Sequence, residues 1–504
     1  MEKRAARLTL DAAFPIGKID PRIYGSFIEH MERVVYEGIY EPDHPNADED
    51  GFRRDIIELT RELQIPFVRY PGGNFLSGYN WEDGVGPKEK RPVRKDLAWC
   101  AYETNQVGTD EFMRWLEKVG AECNMAVNLG TRGIDAARNL VEYMNGDGTS
   151  SYSQMRIQNG RKEPYKVKTW CLGNEMDGDW QIGHKTADEY GRLAHEAAKL
   201  MKKTDPDIEL VACGSSNTTI DTYPAWDATV MDYLYGLAEY ISLHAYYTIV
   251  DNTMEDYLAS ALDMSNQIEA IIATADHIKA KHHGKKDFYL SFDEWGLWNE
   301  EETANRKAWT YRWEDANAIS EGSYTFADAL VTGSIMNALI NHCDRVKIAC
   351  QAQLVNHLSL FNCAKGGRSW RQTIFYPFLH ASKYGRGTAL QTSIQCASYE
   401  TERHGAVPML DASAVLSEDG RALTLFVMNR DRENIQSLEC VLNSFGEAFT
   451  PVEHIAYEGY DLNAKNSLAA ENVVPTTRND ICMKNNAATV DLKPASWNVL
   501  RFTR

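Results

Sequence analysis

Eight short apolar runs alternate with amphipathic stretches through the first four-fifths of the chain, and this alternation constrains the fold more than any other feature. The runs are Ile23–Ile28, Pro66–Tyr70, Met125–Leu129, Val167–Leu172, Leu210–Cys213, Tyr240–Leu243, Phe288–Phe292 and Val346–Ala349. They are short and several are rich in Val, Ile, Phe and Tyr, the pattern of strands buried on both faces. Between them, Phe52–Leu63 and Glu111–Val119 place apolar residues at helical spacing. Thr186–Lys203 opens on Thr186, Asp188 and Glu189 and closes on Lys202 and Lys203, which suits the two ends of a helix dipole. Tyr257–Lys281 reads as one long helix or a broken pair, and Phe326–Ile340 as the last helix before the eighth run.

Eight such units predict an α/β fold, a closed parallel (β/α)₈ TIM barrel. An open doubly wound sheet would more often carry a glycine-rich phosphate turn after its first strand, and here Glu29-His30 follows Ile28. Beyond Tyr384-Gly385-Arg386-Gly387 the runs become short and β-rich, as in Ala422–Val427, Ser437–Leu442 and Ala488–Leu492. The expected organisation is a catalytic barrel over residues 18–386 and an antiparallel, jelly-roll-like β-sandwich over 387–504, completed by residues 1–17.

Composition narrows the partners. A net charge of −19 disfavours nucleic acid and anionic lipid. No apolar run approaches the roughly 20 residues of a membrane span, and no apolar segment follows the basic N-terminus as in a signal peptide. The ten cysteines show no metal-binding spacing and read as buried free thiols in a reducing compartment, so a cytoplasmic protein is expected.

In a TIM barrel, chemistry sits where the strands end. The predicted ends are Glu29-His30, Arg69 to Asn74, Asn128, Gly173-Asn174-Glu175, Ser215 to Asn217, His244 to Tyr247, Asp293-Glu294-Trp295 and Gln351 to Gln353. Carboxylates, amides and aromatics of this kind suit a polyhydroxylated ligand. Glu175 and Glu294, three strands apart, can converge above the ring, as the paired acids of a glycosidase must. His244 reads equally well as a structural histidine or as a contact near Glu294.

Gly173-Asn174-Glu175 and Asp293-Glu294-Trp295 resemble the signature of the large clan of retaining (β/α)₈ glycosidases. With Tyr24–His30, Arg69–Asn74, Trp81–Pro87, Asn128–Thr131 and Ala352–Asn356, the whole chain resembles family 51 of the glycoside hydrolases, the intracellular α-L-arabinofuranosidases. The resemblance implies Glu175 as acid/base and Glu294 as nucleophile, with Arg69 keeping Glu294 ionised. It implies Glu29, Asn74, Asn174, Tyr246 and Gln351 around the innermost sugar, and Trp99 and Trp298 on the leaving-group side. It also implies arabinose-containing oligosaccharides as substrates, no cofactor or metal, and a homo-oligomer, commonly a hexamer. Gly296 and Thr248 depart from the family's usual Asn and Gly, which puts leaving-group preference in question.

The reaction so implied is retaining, exo-acting release of terminal L-arabinofuranose from arabinan or arabinoxylan oligosaccharides. A β-xylosidase or endo-β-glucanase of the same clan, a metal-dependent barrel hydrolase using His244, and a non-catalytic sugar-binding barrel are the rival readings. The polar stretch from Asn299 to Gly322 is expected to overhang the site, meet another subunit, or lie as solvated surface.

Overall fold

The computed structural model describes residues 2–504 except Tyr311, Asn317, Gly446 and Glu447. Eight parallel strands close into a barrel: Gly25–Phe27, Phe67–Tyr70, Glu122–Val127, Thr169–Leu172, Glu209–Ala212, Tyr240–Thr248, Tyr289–Trp298 and Val346–Ala352. Pairing of Cys350 to Ala352 with Gly25 to Phe27 completes the ring. Each predicted run contributes one strand, because parallel strands bury both faces and are written as near-continuous apolar segments.

The helices follow their local signals. Thr186 caps Ala187–Thr204, its hydroxyl accepting from the Glu189 N–H in a capping box. The long apolar stretch after strand six is a broken pair, Met254–Tyr257 and Ala261–Lys281. Phe326–Asn341 is buried on every side from Phe326 to Ile340, which explains its uniformly apolar sequence. It lies between the barrel and a second layer of strands. A β-carbon on Gly333 would lie 2.4 Å from Trp497 Cε3, and Asn337 bonds both Asp411 and Ser413.

That second layer is a ten-stranded sheet. The N-terminal strand Lys3–Lys18 joins it, antiparallel to Thr388–Gln395 and parallel to Ile435–Val441, the one parallel pairing in an otherwise antiparallel sheet. The sheet curls so that Leu8, Leu425, Val490 and Leu500 form its own core. Phe426, Met428, Trp497 and Val499, on the opposite face, join the barrel core. All ten cysteines are free thiols, eight of them buried. Among the described residues, no helix is long and apolar enough to cross a membrane.

Candidate active site

Strands six and seven outrun the barrel rim and stay paired to Thr248 and Trp298. Their register slips once, with Ser242 facing Ser291 but His244 facing Glu294, so strand seven carries one extra residue. Such a bulge re-aims side chains. Here it sets Glu294 beside His244 on the same face. Gly296 then sits opposite Tyr246, where a β-carbon would lie 2.8 Å from the Ala352 carbonyl and 3.1 Å from the Tyr246 ring. Glycine at 296 is therefore what this packing requires. Thr248 closes the following turn, its hydroxyl accepting from the Val250 N–H.

Glu175 leaves strand four through Gly173, at φ 92°, and itself holds φ 43°, a left-handed conformation unusual for glutamate and one that projects it over the ring. His244 Nδ1 lies 2.9 Å from Glu175 Oε1 and 3.6 Å from Glu294 Oε2. One oxygen of each carboxylate and this nitrogen all fall within 4.8 Å of one another. His244 thus joins the two acids and does not serve the fold alone. Its Nε2 lies 3.2 Å from Asp293 Oδ1.

Arg69 reaches three groups at once. Nη1 donates to Glu294 Oε1 at 2.5 Å, Nη2 to Asn174 Oδ1 at 2.7 Å, and Nε lies 3.4 Å from Asp293 Oδ2. Tyr246 donates its hydroxyl to Glu294 Oε2 at 2.9 Å. Burial pushes the Asp293 carboxyl up, yet Arg69 and His244 hold it below the ordinary carboxylate range. Burial likewise works against a charged imidazole, but Glu294, Asp293 and Glu175 outweigh it and raise His244 well above the usual histidine value. Burial and Glu294 keep Tyr246 a phenol.

Glu29 differs. Its Oε1 accepts from the backbone N–H of Gly73 and Phe75 and from Trp99 Nε1. Burial, then the charge of Glu294, overrides these bonds and pushes the carboxyl up to about 8.

Above these groups opens a cavity of about 500 Å³ lined by Glu29, Asn74, Trp99, Glu175, Tyr246, Glu294, Trp298, Gln353 and His357 among others. Asn174 lies just behind it. Its Nδ2 is buried without a hydrogen-bond partner among the described residues, and so is free for a ligand hydroxyl. Gln351 requires a correction. Strand eight runs on to Ala352, so Gln351 still lies within the strand and donates to the Leu358 carbonyl at 2.6 Å. Gln353, the first residue past the strand, lines the cavity and accepts from the Glu29 N–H. Trp180, not singled out from the sequence, donates Nε1 to Glu175 Oε2 at 2.8 Å while 48% exposed. A tryptophan five residues past a strand-end glutamate was the available signal.

The stretch from Asn299 to Gly322 is packed onto the site, with Tyr311 and Asn317 outside the described residues. Glu300–Ala308 is a helix capped by Asn299, and Arg306 lies over the Trp99 ring at 5.4 Å. Glu32 accepts from the Ile319 and Ser320 N–H groups and pairs with His357.

Chemically, the arrangement offers two carboxylates with oxygens within 4.8 Å of each other, one fixed by a guanidinium and a phenol, the other by an imidazole and an indole. Glu175, His244 and Glu294 are also close enough to hold a metal ion. Arg69 and His244 already supply positive charge there.

Two family models match the chain: the α-L-arabinofuranosidase 1 domain over residues 59–257 and the α-L-arabinofuranosidase C-terminal domain over residues 293–496. The chain is 53% identical over 497 residues to an intracellular exo-α-(1→5)-L-arabinofuranosidase of Halalkalibacterium halodurans, covering 99% of each. It is 52% identical to intracellular exo-α-(1→5)-L-arabinofuranosidase 1 of Bacillus subtilis, again with 99% of each covered. Its structure matches that of a family 51 α-L-arabinofuranosidase from Bifidobacterium longum with a TM-score of 0.94 at 41% identity, over 99% of both chains. An α-L-arabinofuranosidase from Thermotoga maritima, solved in complex with arabinose, matches with a TM-score of 0.88 at 32% identity, over 99% of this chain and 100% of that one.

Proposed function

The chain belongs to family 51 of the glycoside hydrolases, the α-L-arabinofuranosidases, and from that premise we propose that it releases single terminal L-arabinofuranosyl residues with retention of configuration. The observation that carries the retaining reading is the approach of Glu175 and Glu294 oxygens within 4.8 Å. Retaining enzymes separate their acids by about 5–5.5 Å, whereas inverting enzymes leave about 6.5–9.5 Å for a water.

In the proposed reaction Glu294, ion-paired with Arg69, attacks the anomeric carbon while Glu175 protonates the departing oxygen. Charge balance supports these roles. With Glu175 protonated and Glu29 neutral below about pH 8, Arg69 and His244 offset Asp293 and Glu294. In the same step the Glu175 proton passes to the departing oxygen, so the charge that ester formation removes from Glu294 reappears on Glu175 and the cluster stays neutral. The carboxylate left on Glu175 is then the base for the water that attacks in the second step. Asn74, Asn174, Glu29, Tyr246 and Gln353 would hold the innermost sugar, with Trp99 and Trp298 beyond it.

The (1→5) linkage in the relatives' names supports arabino-oligosaccharides of that linkage as substrates, ahead of arabinoxylan fragments. Their description as intracellular supports action on short oligosaccharides inside the cell. Homo-oligomerisation rests on the family resemblance.

Kinetics of two variants test the roles. Glu294→Ala should abolish turnover on every arabinofuranoside. Glu175→Ala should slow α-(1→5)-arabinobiose by at least about 10²-fold more than an activated aryl arabinofuranoside, whose leaving group needs no proton. Equal losses on both substrates would contradict the acid/base assignment.

A further inference from the structure

A second cleft, of about 640 Å³, adjoins the catalytic cavity and is not used by the reaction at Glu175 and Glu294. Asn80, Asp83, Arg94, Leu97, Thr131 and Ile182 line it. Residues of its lining are hydrogen-bonded to residues of the catalytic one. Phe75, at its base, gives its N–H to Glu29, and Asp96, on its side, accepts from the N–H groups of Ala98 and Trp99. Ile182 follows two residues after Trp180, whose indole binds Glu175.

We propose that this cleft is a distal subsite for the leaving chain, binding furanose units of a neutral arabino-oligosaccharide beyond the scissile bond; the proposal rests on the assignment of Glu175 as acid/base. The acid must sit on the side from which the leaving group departs, and the loop carrying Glu175, Trp180 and Ile182 runs from the reacting centre to this cleft. Trp180, half exposed between the two, offers a flat face to a sugar on that path. The lining fits a neutral, hydroxylated ligand. Arg94 and Asp83 are ion-paired at 2.9 Å, Arg132 binds Asn80 and Glu82, and Glu103 pairs with His30, leaving Lys95 and Asp96 as the other charged groups of the lining. Asp83 engages Nε and Nη2 of Arg94, leaving further guanidinium donors for hydroxyls. Leu97 is 62% exposed at the rim, apolar surface that a sugar's C–H face would cover.

The test is a chain-length series of α-(1→5)-linked substrates, from arabinobiose to arabinopentaose. The wild-type kcat/KM should rise about fivefold or more along it, equivalent to about 1 kcal/mol. In the double variant Arg94→Ala/Leu97→Ala the rise should vanish, whereas Phe14→Ala, on the remote sheet, should keep it. Both cleft residues are exposed, and an unchanged melting midpoint would verify the fold of the double variant. A flat wild-type series, or a rise that survives the double change, would overturn the subsite. Failure of the wild type to release arabinose even from arabinobiose would instead overturn the catalytic assignment, and the subsite with it.

Discussion

Gly73 approaches Glu294 so closely that a β-carbon on it would lie 2.8 Å from Oε1 and 3.2 Å from Asn174 Nδ2. No side chain fits there without displacing the carboxylate that Arg69 holds. Gly73→Ala should therefore lower kcat by about 10²-fold or more, since displacements near 1 Å carry that cost in a catalytic geometry. The melting midpoint should change little. Steady-state kinetics paired with thermal melting check both parts.

Arg69 bonds Glu294 and Asn174 and ion-pairs with Asp293 through separate arms of one buried guanidinium. A lysine supplies the charge as a single point and cannot span the three. Arg69→Lys should thus lose about 10²-fold or more in kcat. Arg69→Ala, which strands two buried carboxylates, should cost about 3–5 kcal/mol of stability in denaturant unfolding. Near-normal turnover in Arg69→Lys would show that charge alone suffices.

Glu29 gives a pH signature. Its carboxyl is raised in the folded protein to about 8 from an ordinary 4.5, so the unfolded state releases that proton first. The stability it contributes is complete below about pH 4.5 and is lost as the pH rises through about 8. Glu29→Gln cannot ionise and escapes that loss. The melting midpoint of Glu29→Gln relative to wild type should climb between about pH 5 and pH 9. A difference independent of pH would contradict a neutral buried Glu29.

How much of this was legible in the sequence depends on distance along the chain. The barrel could be read because each strand is a local apolar segment, and Glu175 and Glu294 because each lies within three residues of the end of such a segment, Leu172 and Phe292. The inward aim of Glu294 was not legible, since it depends on one extra residue between Ser291 and Glu294 relative to strand six. Confusing Gln351 with Gln353 has the same origin. Two amides two residues apart share a strand face, and only the point where pairing stops decides which reaches the cavity. His244 could not be separated from a core histidine because its partners, Glu175 and Asp293, lie 69 and 49 residues away along the chain. The packing of Arg306 on Trp99 was hidden for a similar reason. The polar composition of residues 299–322 suits solvent, and only the fold brings Arg306 over that indole.

The central claim, a double displacement through Glu294, is tested most directly by transfer to methanol. Methanol competes with water for a covalent glycosyl-enzyme, and the methyl glycoside formed does not mutarotate. Proton NMR of wild-type reactions on an aryl α-L-arabinofuranoside in dilute methanol should show methyl α-L-arabinofuranoside, the anomer of the substrate. Methyl β-L-arabinofuranoside, or hydrolysis with no transfer and a β-anomer formed first, would mean single displacement by water and would contradict the roles given to Glu175 and Glu294.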